Sequence, residues 1–330
     1  MKAARALALS LVATAAASAD YVTDFESPPF NASPAGVVLS GQDGWYMPVV
    51  TGSIPYNAMT YAGNAYGIPQ NPEGGAQFAT GRAIGGAANN FCRAQHDFDF
   101  STSQTWCFSF DFACNFNGIA PATHNLASFS LQPGATTTPT NRIFIILNTF
   151  TGDLNVPTTW GSGYVVHNAA GTQVAQPGTY PGPEWQNLAF NTWYRQTTEV
   201  NMTENRITRV SITNLVTGAT AAVEPVGWYL GGGATPTIPL ATSFRVFTGG
   251  TTEGNIAAWD NLSIVPTCGG NECPADLDGS GNISLQDLAI LLANFGRTDN
   301  PPANVGNLDG DGDVDLQDLA TMLAVFGTSC

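Results

Sequence analysis

Lysine is all but missing from this 330-residue chain; Lys2 is the single one. Lys and Arg together number 10 against 25 Asp and Glu, a formal net charge of -15, and charged residues are only 11% of the whole. A phosphate-binding surface needs clustered basic side chains, so this balance excludes a nucleic-acid partner. Long apolar runs are missing as well. A membrane-spanning helix takes about 20 apolar residues, and no later stretch supplies them. Histidine is scarce: His96, His124 and His167 are scattered without metal-ligand spacing. There is no Gly-x-Ser-x-Gly nucleophile elbow. Nor is there a Glu-x-Asp-x-Glu run, the alternation that would aim three carboxylates into one cleft.

What is present begins with an export pattern. Lys2 and Arg5 precede an apolar run, Ala6–Ala17, and the small residues Ala17-Ser18-Ala19. That order predicts a signal peptide over 1–19, cleaved after Ala19, and a secreted or cell-surface protein without a transmembrane segment. Cleavage would leave 8 arginines against 25 acids, a net of -17. The six cysteines, Cys92, Cys107, Cys114, Cys268, Cys273 and Cys330, would then sit in an oxidising compartment.

The chain then falls into two regions. Over 20–266, short runs of Thr, Val, Ile and aromatics alternate with Gly, Pro and Asn, with no sustained helical period. Phe91–Phe100, Trp106–Asn115, Ile143–Leu147, Tyr194–Asn201, Ile207–Leu215, Phe244–Thr248 and Ala257–Val265 read as strands. Hairpin turns are expected at Ser101–Thr105 and Thr203–Asn205. Many short strands without helices predict a mainly β fold of two packed antiparallel sheets. Three strings sharpen this: Thr23-Asp24-Phe25-Glu26-Ser27, Asn191-Thr192-Trp193-Tyr194-Arg195, and Ala258-Trp259-Asp260-Asn261-Leu262-Ser263-Ile264. The region resembles the concanavalin A-like (laminin-G-like) jelly-roll domains of secreted bacterial proteins. That resemblance implies a β-sandwich but not one function, since lectins, binding modules, glucanases and lyases share it.

Residues 267–274 read as a linker, and 275–330 follow another grammar. Asp276–Gly296 and Asn307–Gly327 repeat at an offset of 31 residues, with 13 of 21 positions identical. Each repeat opens with oxygen-bearing side chains at loop positions 1, 3, 5, 9 and 12, and glycine at 6, the ligand pattern that wraps one calcium ion. The first loop supplies Asp276, Asp278, Ser280, Asn282, Ser284 and Asp287; the second supplies Asn307, Asp309, Asp311, Asp313, Asp315 and Asp318. Two Ca2+ ions are expected. Each loop feeds a helix, N-capped by Ser284 or Asp315. Apolar stripes Leu285, Leu288, Ala289, Leu292, Phe295 and Leu316, Leu319, Ala320, Leu323, Phe326 run along the two helices. Position 12 is Asp rather than Glu, and no clear entering helix precedes either loop. Both features make the region resemble a bacterial type I dockerin with flanking cysteines. That resemblance implies a cohesin-like or cell-surface protein partner engaged through positions 10 and 11, here Leu285-Gln286 and Leu316-Gln317. Cellulosomal dockerins carry small hydroxyl residues there, so surface attachment or sorting stands beside cohesin binding. It also implies that the ends of the module meet, pairing Cys273 with Cys330.

Further candidates come from the first region. Asp24 and Glu26 on the first strand and Asp260 on the last are a second candidate metal site, if those strands are neighbours. A hairpin centred on Ser103 would set Cys92 opposite Cys114, predicting a disulfide. Asp97 and Asp99 read as a solvated face. Trp45, Tyr46, Tyr56, Tyr61, Tyr66, Trp160, Trp185, Trp228 and Tyr229 are candidate sugar platforms. The functional expectation is a calcium-binding glycan-binding or adhesion module displayed through the dockerin. Its alternatives are a polysaccharide hydrolase or lyase, with no assigned catalytic residues, and a structural envelope protein.

Overall fold

The computed structural model describes residues 20–83, 91–116, 125–132, 143–151, 158–175, 178–235, 240–249, 254–266, 275, 277, 283–298, 305–309 and 312–328. The early strands are β1 (Tyr21–Thr23), β2 (Val37–Val38), β3 (Ser53–Pro55), β4 (Asn57–Thr60) and β5 (Gln77–Arg82). Longer ones follow: β6 (Phe91–Asp97), β7 (Thr105–Phe116), β8 (Asn125–Gln132), β9 (Ile143–Thr151) and β10 (Thr159–Gly163). The rest are β11 (Leu188–Ala189), β12 (Tyr194–Asn201), β13 (Arg206–Asn214), β14 (Thr220–Val223), β15 (Ser243–Thr248) and β16 (Asn255–Val265). Two helices close the order, α1 (Leu285–Asn294) and α2 (Leu316–Ala324).

The fold is mainly β, two sheets packed face to face. One runs β14-β13-β12-β7-β16-β5-β4-β2, with β1 added against β16. The other runs β11-β10-β9-β8-β15-β6-β3. Period-two alternation on β7 sets the layers. Phe108, Phe110, Phe112 and Cys114 enter the core between the sheets, and Ser109, Asp111 and Ala113 take the opposite face. The core is aromatic and continuous. Trp160 of the seven-stranded sheet meets Phe112 at 5.3 Å, Phe112 meets Trp259 at 4.5 Å, and Phe110 reaches Phe129 across the gap at 5.1 Å.

A smaller apolar cluster lies on the outer face of the nine-stranded sheet. The segment 61–76, between β4 and β5, lays Tyr61 and Ile68 onto Phe78, Ala113, Trp193, Ile256 and Ala258. Tyr61 stacks on Phe78 at 4.5 Å, and Trp193 Nε1 donates to the Pro69 carbonyl at 2.8 Å.

Each of the seven strand expectations falls on a strand. The Thr203–Asn205 turn joins β12 and β13, with Asn205 at φ 51°. First and last strands are neighbours, Tyr21 facing Ile264. The Ser101–Thr105 hairpin does not form. β6 pairs with β15 and β3, whereas β7 pairs with β12 and β16, so this connection crosses between sheets through a 3-10 turn at Phe100–Thr102. Phe98, Phe100 and Trp106 pack around the corner at 4.6 to 5.6 Å, burying aromatics from both runs in one core. The Cys92–Cys114 disulfide falls with the hairpin, because its residues belong to different sheets; both are buried free thiols. Burial pushes the Cys92 thiol up to about 12 and raises that of Cys114 as well. Cys107 is disulfide-bonded, and its partner lies outside the described residues. So do Cys268, Cys273 and Cys330, and residues 1–19, where a signal peptide is expected.

The C-terminal helices share their own small core of Ala275, Ile283, Leu291, Val314 and Met322. The expected stripes are displaced. Leu285 and Leu316 are 70% and 72% exposed, and Leu292, Phe295, Leu323 and Phe326 face water too. The inward line is Leu288–Leu291 on α1 and Leu319–Met322 on α2, because Ile283 and Val314, just before each helix, fill the centre first. Among the described residues no helix is long and apolar enough to cross a membrane.

Trp259 touches both Phe110 and Phe112 at the middle of the sandwich. Trp259→Ala should therefore destabilise the fold by about 3–5 kcal/mol, read as a lowered urea midpoint.

Candidate functional site

Three places gather chemistry. The first is the second acidic loop. Asp313, Asp315 and Asp318 offer carboxylate oxygens that all lie within 4.8 Å of one another, the one such group among the described residues. Local structure imposes this. Asp315 caps α2, accepting from Gln317 N at 2.6 Å, and Asp318 reaches back to Asp315 N at 2.7 Å. The other Asp318 oxygen accepts from Leu308 N at 2.6 Å and Asp309 N at 3.2 Å, folding the loop's start over its end. Asp318 is fully buried and Asn307 is 5% exposed. Gly312, at φ 102°, makes the turn that a side chain would strain. The first loop repeats the capping box, with Ser284 N donating to Asp287 Oδ2 at 2.7 Å. Asp276, Asp278, Ser280, Asn282 and Asp311 lie outside the described residues. Where it is described, the donor set is oxygen only, crowded and anionic. That fits a hard divalent cation such as Ca2+.

The second place is the outer face of the nine-stranded sheet, and here the expected metal triad does not assemble. Asp24 is exposed just past β1, bonded to the Glu26 amide. Phe25, at φ 59°, breaks the alternation that would have placed Asp24 and Glu26 on one face. Glu26 instead accepts from Gln77 N at 2.7 Å. Asp24, Glu26 and Asp260 do not meet within 4.8 Å. The acid that does come to Asp260 is Asp111, its register partner on β7. Both are fully buried. Arg195 grips Asp111 with two bonds, at 2.8 and 3.0 Å, and pairs with Glu73 at 2.7 Å. Asn71 Nδ2 donates to both acids, at 2.8 and 3.1 Å, and Asn261 Nδ2 to Asp111 at 2.7 Å. The sequence held one signal for Asp111, a lone acid at an outward position of the aromatic run Phe108–Phe112.

The third place is the outer face of the seven-stranded sheet. Three rows cross β6, β15 and β8: Arg93–Phe247–Ser128, Gln95–Arg245–Ser130 and Asp97–Ser243–Gln132. Cys92, Ala94, Phe244, Val246, Phe129 and Leu131 face inward, so alternation turns these rows outward. Gln95 donates to Tyr46 and Ser243, at 2.8 and 2.7 Å, and accepts from Arg245 Nε at 2.8 Å. Tyr46 donates to Asp97 at 2.6 Å; its burial and that bond raise its hydroxyl above the ordinary phenol value. Gln132 is fully buried, and its Oε1 has no hydrogen-bond partner. At the end of this lattice Asp97, Phe98, Asp99 and Thr242 line an open hollow of about 550 Å³. Asp97 and Asp99 face solvent, as expected.

Of the aromatic platform candidates, Trp45, Tyr56, Tyr61, Trp160 and Trp185 are buried. Tyr46, Tyr66, Trp228 and Tyr229 are half-buried. Only Tyr46 borders the hollow's polar lattice, through Asp97.

No protein-family model matches the chain, and no curated protein matches it. Among solved structures it is similar to peanut lectin in complex with a nonamer peptide, at 12% identity and TM-score 0.38 over 58% of this chain and 87% of that one. It is also similar to cellulose induced protein Cip1, at 11% and 0.40 over 76% and 100%. A marine PL-14 alginate lyase from Aplysia kurodai gives 8% and 0.36 over 60% and 86%. Likeness at these values carries no functional weight.

Removing the acid that holds Arg195 leaves a half-buried guanidinium facing only Glu73. Asp111→Ala should cost about 3–5 kcal/mol, checked by urea denaturation.

Proposed function

We propose that this protein is a secreted, non-catalytic glycan-binding or adhesion sandwich, displayed through a calcium-organised, dockerin-like C-terminal unit. The observation that carries the sandwich half is the hollow at Asp97, Phe98, Asp99 and Thr242. It offers carboxylate acceptors, a hydroxyl and an aromatic ring, continuous with the Tyr46–Gln95–Arg245 lattice. Sugars are held by that combination of hydroxyl-accepting oxygens and an apolar ring face.

The C-terminal half rests on the Asp313–Asp315–Asp318 group and its repeat around Asp287. Asn307, Asp309, Asp313, Asp315 and Asp318 would hold one ion with Asp311. The first loop would hold a second through Asp276, Asp278, Ser280, Asn282, Ser284 and Asp287. A bound ion supplies positive charge to a region with one arginine, Arg297, and no lysine. The exposed Leu285-Gln286 and Leu316-Gln317 pairs would then face a cohesin-like or cell-surface protein.

Asp111 and Asp260 are sealed from solvent, so a polysaccharide hydrolase or lyase would have to work through the exposed Asp97 and Asp99 of the hollow. Full-length protein on a glycan array should bind polysaccharide, and Asp97→Ala or Asp99→Ala should weaken that binding at least tenfold. Reducing-sugar release would favour the enzyme, and an array without hits the structural protein. Calorimetric titration should show two calcium ions per chain, with Asp287→Ala and Asp318→Ala each removing one.

A further inference from the structure

Asp260 is a fully buried carboxyl whose donors are all neutral: Tyr61 OH at 2.6 Å, Asn71 Nδ2 at 3.1 Å and the Asn261 amide at 2.9 Å. Two of these three, Tyr61 and Asn71, belong to the covering segment 61–76. The charged groups around it come from four directions. Asp111 faces it from β7, and Arg195 of β12 is spent on Asp111 and Glu73. Glu73 lies in the covering segment, and Glu26, from the N-terminal stretch, bears on Tyr61. Acids thus outnumber the single guanidinium. An ionised Asp260 would be a buried anion beside another anion, which costs free energy that neutral donors do not fully return. Gly74 packs against Asp260 Oδ2 so closely that a Cβ there would collide with it.

We propose that Asp260 is a proton-operated latch: protonated, it lets segment 61–76 close over the Phe78–Trp193 aromatic face, and ionised, it favours release of that segment. The arrangement ties this titrating group to the segment that lays Tyr61 and Ile68 over the face. Burial, and then the nearby Asp111, raise the Asp260 carboxyl from 3.8 to about 7, against the pull of its three donors. Release returns the group to water and to an ordinary value of about 3.9. The closed form therefore holds the proton more tightly. Closure is firmest below about pH 4 and weakens up to about tenfold per pH unit until about pH 7. Above that, both forms are ionised and the dependence ends. Tyr61 and Trp193 Nε1, which bonds Pro69, are the contacts that part.

Hydrogen exchange of the full chain tests this, with protection factors corrected for the intrinsic pH dependence of exchange. Amides of 61–76 should lose protection by up to about a thousandfold between pH 4 and pH 7, then level off, while those of β7 do not follow. Asp260→Asn, a neutral isostere, should abolish the slope and keep the segment closed. Tyr61→Phe withdraws a donor that favours the anion, so levelling should move to higher pH. Flat wild-type protection, or a slope that survives in Asp260→Asn, would overturn the latch. Should Asp260→Asn not fold, an unshifted Tyr61→Phe profile overturns it instead.

Discussion

The architecture depends on the two-sidedness of β7. One face of this twelve-residue strand is aromatic and binds the sheets together through Phe108, Phe110 and Phe112. The other carries Ser109, Asp111 and Ala113, and a second layer forms over it. Because side chains on a strand alternate strictly, Asp111 cannot move without moving the aromatics beside it. The core thus fixes the height and direction of a buried acid. The segment 61–76, Arg195 and Asn261 are arranged around that acid.

Scarcity of positive charge gives the polar sites their common character. Seven arginines serve residues 20–266, and Arg195 already serves two acids. Arg206 and Arg209 pair with Glu204 and Glu199, and other carboxylates are satisfied by other means. Asp260 takes a phenol and amides, and Asp318 takes three backbone N–H groups. Asp97 takes a tyrosine hydroxyl at the protein surface. A buried carboxylate with neutral donors is held less firmly as an anion than one with a guanidinium. Of these acids, Asp260 has its carboxyl raised by burial.

The C-terminal repeat is organised by an exchange of backbone bonds. Ile283 N donates to Thr328 O at 3.0 Å, and Gly327 N returns a bond to Ile283 O at 2.8 Å. Val314 makes the equivalent pair with Arg297 and Gly296, at 2.9 and 2.7 Å. Each loop is therefore stitched to the segment that follows the other repeat's helix. Neither half is complete without its copy, which explains why so short a core suffices. The same stitching leaves Leu285 and Leu316 at equivalent, exposed positions.

Local pattern was enough for much of this. Alternation located seven of the strands, though not the eight-residue β8, since burying one sheet face demands it. The 31-residue repeat located both helix caps, because a capping box is closed within four residues. Partnership between distant strands was not legible. The run Phe91–Phe116 reads equally as a hairpin or a crossing between sheets, and only the shared aromatic corner at Phe98, Phe100 and Trp106 decides. Cys92 and Cys114 parted for that reason. Leu291, rather than the more regular Leu285–Leu292 stripe, became core because Ile283 and Val314 filled the centre first. Asp260 was visible as a lone acid on the last strand, but its partner 149 residues away was not. The sequence by itself determined which residues could be strand, loop ligand or cap, since those properties are settled by near neighbours. Tertiary structure alone decided which carboxylates meet, since that depends on register across a sheet and on which segment covers it.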